Sequence, residues 1–380
     1  MRSGQRLRKA WFPLQRRLNT WLRPKLGDGG PPCGIYSEAR AIADGRVEGG
    51  LLAKPARDIS IPVDSEIRTA GLDQDKHRDW NALWCRREDV ILASPTLAHS
   101  DKIGNICLEA IYGPHAWSDG VWRRNGKMPI RRLSGDFTSI VSRWNDGRNY
   151  FHWFMDGLTR LIHLDSFPAE CRILIPKNLP AFALRSFELL GLSGRVVETA
   201  DEDLQIERYW FAGPTMLSGC PDPCGVEWLR RNFLPDQQPA GHRRIYIERN
   251  AATRGLANAP ELRKFFRERD WDIIDPGTLT LDEQIGVFGE AEFIVGVHGA
   301  AMTNLLWAPA GARVLELMPK HRRNGCYAGI ALVAGQVHRT LVCPSHRKGE
   351  ISVPLKLIAP CLSAPWWIGN STTKPVAWPG

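Results

Sequence analysis

The sequence predicts an α/β chain: two Rossmann-like domains facing a cleft, with an N-terminal accessory region that contains β-strands. Three observations point there. From residue 149 onward, short apolar runs alternate with helical patterns. The alternation falls into two consecutive blocks of roughly 100 residues each, the size of one α/β domain. Within the second block, residues 292–319 read as strand, Gly-His loop, helix, tight turn and strand. In such a unit the loop after the first strand faces a ligand, and the following helix offers N–H groups to an anion.

Residues 1–60 read as a basic arm and linker. Arg2, Arg6, Arg8, Lys9, Arg16, Arg17, Arg23 and Lys25 carry +8 with no acid among residues 1–25, of a net +9 for the chain. The basicity is therefore a tail property and not a nucleic-acid-binding face. Leu7, Trp11, Leu14, Leu18 and Trp21 or Leu22 recur between those cations at helical spacing. This fits an anchor on an anionic membrane surface or a basic leader without fixed structure. Residues 26–60 are rich in Gly, Pro and Ala.

Residues 61–240 are predicted to form the first domain. Its first part, to 145, mixes β-like runs (Val90 to Leu92, Ile106 to Ile111, Phe137 to Val141) with turns at Ser118-Asp119-Gly120 and Asn125-Gly126. Asn149 to Leu164 is helical in pattern, Arg172 to Pro176 a buried strand, and Ala181 to Leu190 a helix stopped at Gly191. Val196-Val197 and Tyr209 to Phe211 are strands, and Gly225 to Phe233 a helix. Residues 241–360 form the second domain. Arg244 to Glu248 is a strand, Pro260 to Arg269 a helix, and Trp271 to Ile274 a strand. Leu281 to Phe288 is a helix behind the cap Thr280, and Thr340 to Val342 a last strand beyond 292–319. Residues 361–380, with Trp366, Trp367 and Trp378 among Pro and Gly, form a tail.

Apolar (43%) and charged (24%) fractions are those of a globular domain. No apolar run reaches the ~18 residues of a transmembrane helix. The N-terminus lacks the apolar core of a signal peptide. The nine cysteines are odd in number and scattered, which argues against a disulfide framework. These features predict a cytoplasmic protein, peripheral to the inner face of the membrane. Cys220-Pro-Asp-Pro-Cys224 lacks two further ligands for zinc. Three Asp-x-Asp triplets, at 73–75, 201–203 and 270–272, lack phosphate-binding neighbours, so no metal or cofactor is expected. No P-loop occurs, nor a Gly-x-Gly-x-x-Gly fingerprint with its distal acid, which disfavours a kinase or a nicotinamide enzyme.

Three constellations can carry chemistry. His152 and Asp156 lie four apart in the apolar stretch 149–157, on one face of a helix, where they can tune each other for general-base work or pin the helix in the core. The loop from Gly296 to Asn304 allows close backbone approach, and His298, Thr303 and Asn304 can donate to phosphate. Arg249 and Arg254, with Asn258 beyond, follow the first strand of the second domain and can reach a diphosphate. Glu316, inside the strand Val314 to Leu317, must be paired or receive hydroxyls such as a ribose diol.

Two long motifs resemble glycosyltransferase family 61. One is Asn149, Tyr150, His152, Trp153, Asp156, Leu158, Arg160 and Leu161. The other is Gly296, His298, Gly299, Ala300, Thr303 and Asn304, followed by Pro309, Gly311, Val314, Glu316 and Leu317. Tyr246 to Arg249 is similar to the family's strand-plus-Arg element, with Glu248 where the family usually has Ser and Ala259 after Asn258 where it usually has Glu. The resemblance spans about 135 to 320. It implies a GT-B architecture, with an acceptor-side domain at 61–240 and a nucleotide-sugar-binding domain at 241–360. It implies inverting, metal-independent transfer from a UDP-sugar to a glycan or lipid-linked glycan, as in cell-surface polysaccharide synthesis. Asp156 and His152 become the catalytic pair, with Asn149, Trp153 and Arg160 on the acceptor side. Arg249, Arg254, Asn258, Gly296, His298, Gly299, Ala300, Thr303, Asn304 and Glu316 become the donor contacts. The alternative is a non-catalytic nucleotide-sugar or glycan-binding component of a polysaccharide assembly complex.

Overall fold

The computed structural model describes residues 35–51, 82–110 and 130–363, apart from short breaks at 37, 95, 101–105, 108–109, 143–144, 146, 216–220, 237–239, 250–255, 321–323 and 346–350. The basic arm, the turns near 118–126, Cys220 and Arg254 lie outside the described residues.

The first half runs β1 (Ile35–Tyr36), α1 (Glu38–Ala43), β2 (Gly49–Leu51), β3 (Leu83–Ala93), β4 (Ala98–Ser100), β5 (Ile106–Cys107) and β6 (Ile130–Ser139). A composite helix, α2, follows. It is α-helical over Tyr150–His152, π-helical over Trp153–Gly157 and 3-10 over Leu158–Ser166. Then come β7 (Arg172–Pro176), α3 (Ala181–Leu189), β8 (Val196–Thr199), β9 (Asp203–Ala212) and α4 (Pro223–Phe233). The second half runs β10 (Arg243–Ile247), α5 (Ala259–Arg267), β11 (Asp272–Ile274), α6 (Leu281–Gly289), β12 (Ala291–Val297), a 3-10 helix (Ala300–Leu306), β13 (Arg313–Pro319), α7 (Cys326–Val333), β14 (Val337–Cys343) and α8 (Leu355–Ser363).

The second half matches the sequence reading closely. Its sheet has the order β11-β10-β12-β13-β14, with every pairing parallel. β12 and β13 are buried almost throughout, as parallel strands covered on both faces must be. Thr280 closes a full capping box with Glu283 at the start of α6. Changing Thr280 to Ala is expected to remove about 1 kcal/mol of stability in urea titrations.

The first half departs from a separate accessory region beside a Rossmann-like unit. Its strands form one mixed sheet, ordered β1-β5-β4-β3-β9-β6-β7-β8, with β2 also on β3. β6, β7, β8 and β9 are mutually parallel where they pair, while β3 joins β9 antiparallel from Trp84↔Ala212 to Leu92↔Leu204. The β-rich segment is thus continuous with the α/β part.

The two halves share one apolar cluster. Trp153, Phe154, Ile173 and Ile175 pack with Ile245, Ile247, Ile294, Met302, Trp307 and Val314. At its centre Phe154, Phe233 and Trp307 come from three separate helices, with ring centroids 5.2 to 5.8 Å apart. Polar contacts reinforce the join. Arg230 of α4 donates to the carbonyls of Leu306 and Ala308, where the 3-10 helix ends. Arg185 of α3 forks onto Asp282 of α6 at 2.7 and 2.8 Å. The chemistry-bearing residues hang from the elements that make this join.

Candidate functional site

The first pair is built on α2. Asn149 caps the helix, its Oδ1 accepting from the N–H groups of Phe151 and His152. The wide π turn follows at once, and the Leu158 N–H reaches both the Phe154 and Trp153 carbonyls. Gly157 completes that turn because a Cβ there would lie 2.0 Å from the Asn145 amide nitrogen. The result brings His152 Nδ1 to 2.5 Å from Asp156 Oδ2. The Asp156 side chain is 0% exposed and that of His152 is 24% exposed. Asp156 can therefore orient the imidazole but cannot itself meet a ligand, while His152 reaches the surface. With Nδ1–H donated to the carboxylate, Nε2 is left as the proton acceptor.

Trp153 and Arg160 are tied into the scaffold. Trp153 is buried against Phe187, its Nε1–H donating to Ser186 Oγ at 3.0 Å. Arg160 is buried too, donating to the carbonyls of Asp156 and of Ala212 at the end of β9. Both hold α2 in place, and Asn149 acts as its cap. Their apolar or helix-interior positions, one turn from the pair, are the physical reason.

The second pair lies at the carboxyl ends of β12 and β13. The His298 N–H donates to the Leu317 carbonyl and extends the ladder past β12. His298 Nδ1 lies 2.5 Å from Glu316 Oε1, and His338 Nε2, from β14, lies 2.9 Å from Glu316 Oε2. Glu316 is 0% exposed, His298 8% and His338 10%. The partner that the sequence demanded for Glu316 is thus a pair of histidines, and both its oxygens are engaged within the protein instead of receiving a ribose diol. Burial pushes the Glu316 carboxyl up, but the His298 and His338 hydrogen bonds outweigh it and bring it down to about 2. Its ordinary value is 4.5. A carboxyl with a depressed folded pKa contributes stability above the ordinary value and loses it as pH falls through the folded value. Wild-type melting temperature is therefore expected to fall between pH 4.5 and about 2 more steeply than that of Glu316→Gln.

Gly296 is a packing glycine. It sits opposite Glu316 in register, and a Cβ there would lie 2.5 Å from Met302 Sδ and 3.2 Å from Ile247 Cβ. Gly296→Ala is expected to cost about 1–3 kcal/mol by overpacking, read from chemical denaturation. Gly299 is extended, and a Cβ there would meet only the Val297 carbonyl oxygen, at 3.7 Å. Ala300 follows, half-buried, at the start of a seven-residue 3-10 helix where the sequence suggested an α-helix. Thr303 and Asn304 are buried inside that helix. Asn304 Oδ1 accepts from the Tyr150 hydroxyl at 3.2 Å, and that hydroxyl accepts from Trp307 Nε1–H at 3.1 Å. Asn304 therefore links the two motifs. Burial drives the Tyr150 hydroxyl well above the usual phenol range, against the Trp307 bond.

Arg249 leans over the loop, with Nη1 3.5 Å from the His298 carbonyl. The neighbouring Glu248 is drawn away by Arg263, at 2.6 Å, so its charge is offset. Asn258 is committed elsewhere: its amide donates to the Val353 carbonyl and accepts the Val353 N–H, strapping the C-terminal segment to α5. Among the Asp-x-Asp residues, Asp201 pairs with Lys177, Asp203 accepts from the Ser94 N–H and Asp272 pairs with Arg243.

Sequence reasoning missed Tyr327 and His338. The Tyr327 ring packs 5.0 Å from His298 and 5.7 Å from Phe151, the residue that precedes His152 in the chain. Only the need of Glu316 for a partner could have pointed to His338, two register positions away on the neighbouring strand.

The comparisons with known proteins fall on this region. The family model described as Glycosyltransferase 61 matches residues 150–315. The EGF domain-specific O-linked N-acetylglucosamine transferase of Drosophila melanogaster is 29% identical over 116 residues, which is 30% of this chain and 22% of that protein. The match therefore spans about a fifth of the relative's length. The motifs around His152 and His298 are the parts of the sequence that carried the resemblance, and both lie mostly within the residues 150–315 that match the family model.

Proposed function

We propose that the chain is an inverting glycosyltransferase. It moves a sugar from a nucleotide donor, UDP-linked, to a hydroxyl of a glycan or lipid-linked glycan, in cell-surface polysaccharide synthesis. One observation carries this reading: each half holds a histidine paired with a buried carboxylate, and the Tyr327 ring packs on His298 of one half and on Phe151, the residue before His152, in the other. The family match over the same segments supports it. The two halves are read as the acceptor (61–240) and donor (241–360) domains of a GT-B form. The relative's name makes UDP-N-acetylglucosamine the first donor to try.

The reaction is a single in-line displacement. His152 Nε2 takes the proton of the acceptor hydroxyl, and Asp156 stabilises the imidazolium that results. The acceptor oxygen bonds to the anomeric carbon while the carbon–oxygen bond to the diphosphate breaks, its electron pair leaving with UDP. Arg249 and His298 offset the charge that grows on the leaving group. No step is assigned to a metal. The basic arm, residues 1–25, rests on anionic lipid at the inner face of the membrane.

A thermal-shift screen of nucleotide sugars, followed by a transfer assay, tests the reading. Stabilisation by a UDP-sugar with turnover is expected. Binding without turnover on any glycan acceptor would favour the non-catalytic role, and no binding would remove the donor site.

A further inference from the structure

Glu316 contacts two histidines, His298 and His338. It is fully enclosed, so neither of its oxygens has water to fall back on. A buried carboxylate with one donor removed is left with an uncompensated lone-pair face, and it regains neutrality by taking up a proton. Once protonated, it no longer attracts the His298 Nδ1–H as a charge would.

We propose that His338 is a positioning residue of the donor half. Its Nε2–H occupies the second oxygen of Glu316, which keeps the first oxygen anionic and fixes the His298 ring so that it presents an Nε2–H donor to the diphosphate. His338 lies outside both motifs and outside the matched family region. The inference rests on the donor-site reading above. Facing Glu316 are His298 from the loop after β12, His338 from β14 and Tyr327 from the start of α7. Tyr327 is held protonated by burial and so adds no charge near neutral pH. Arg249 Nη1 lies 3.5 Å from the His298 carbonyl.

The sign of the pH effect follows from the geometry. Without the His338 donor, burial raises the pH at which Glu316 binds a proton. Donor affinity is then lost on the acid side at a higher pH than in the wild type.

The test is calorimetric titration of UDP into wild type, His338→Phe and His338→Gln between pH 5 and pH 8, with thermal melts in parallel. The Phe variant keeps a ring but loses the donor, while Gln keeps a donor of similar reach. His338→Phe is expected to weaken UDP binding about tenfold or more at the acid end and less at pH 8, the range of a hydrogen bond to a buried charge. His338→Gln recovers most of that loss. Wild-type affinity and pH profile in a folded His338→Phe protein would overturn the inference. So would a His338→Gln variant as impaired as the Phe variant, since the ring alone would then be what matters. A wild type that does not bind UDP removes the donor-site reading itself and the inference with it.

Discussion

His152→Ala is expected to lower transfer turnover about 10²–10⁴-fold, the usual contribution of a positioned general base. UDP affinity should stay within about threefold, since the residue takes no part in holding the leaving group. Asp156→Asn should fall in the same range, although Asp156 is fully enclosed and meets no substrate. Its amide keeps the volume and loses the charge that steadies the imidazolium. Initial-rate measurements at saturating donor separate the two effects. Turnover within threefold of wild type in either variant would remove that residue from the chemistry. A rise in KM for the donor without a fall in kcat would place His152 on the wrong side of the reaction.

Trp307→Ala is expected to reduce stability by about 3–5 kcal/mol, as truncation of a fully buried aromatic does. The side chain is 0% exposed and sits between Phe154 and Phe233. Its Nε1–H also supplies the Tyr150 hydroxyl. Because the apolar cluster includes both halves, the wild type should unfold in urea in a single transition, coincident by circular dichroism and fluorescence. Two separated transitions in the wild type, or a loss below about 1 kcal/mol in the variant, would contradict a shared core.

Much of the second sheet was legible because its strands are short, apolar and fully covered, as at Phe293 to Val297 and Val314 to Leu317. The first sheet was less so. β3 carries Arg86, Arg87, Glu88 and Asp89 in mid-strand, and its charges hide an eleven-residue strand of which only Val90 to Leu92 was visible. α7, Cys326–Val333, has no polar face, so it lacks the helical period that would reveal it. α8 carries Pro360 inside it, a helix-breaking signal. At the site, the four-residue spacing of His152 and Asp156 predicted a pair that the structure brings to 2.5 Å. The π turn beneath them leaves no mark in the residue pattern except Gly157. The demand of Glu316 for a partner was legible, but the partner depends on strand register, which local sequence does not encode. Asn258, Asn304, Trp153 and Arg160 looked equally available for ligands because these scaffold partners are 33 or more residues away in the chain.

The most direct measurement is calorimetric titration of UDP into His298→Ala and His152→Ala side by side. The division of labour between the two pairs expects His298→Ala to bind UDP at least about tenfold more weakly than wild type, while His152→Ala binds it as wild type does. Undiminished binding by His298→Ala, with binding lost in His152→Ala, would contradict it.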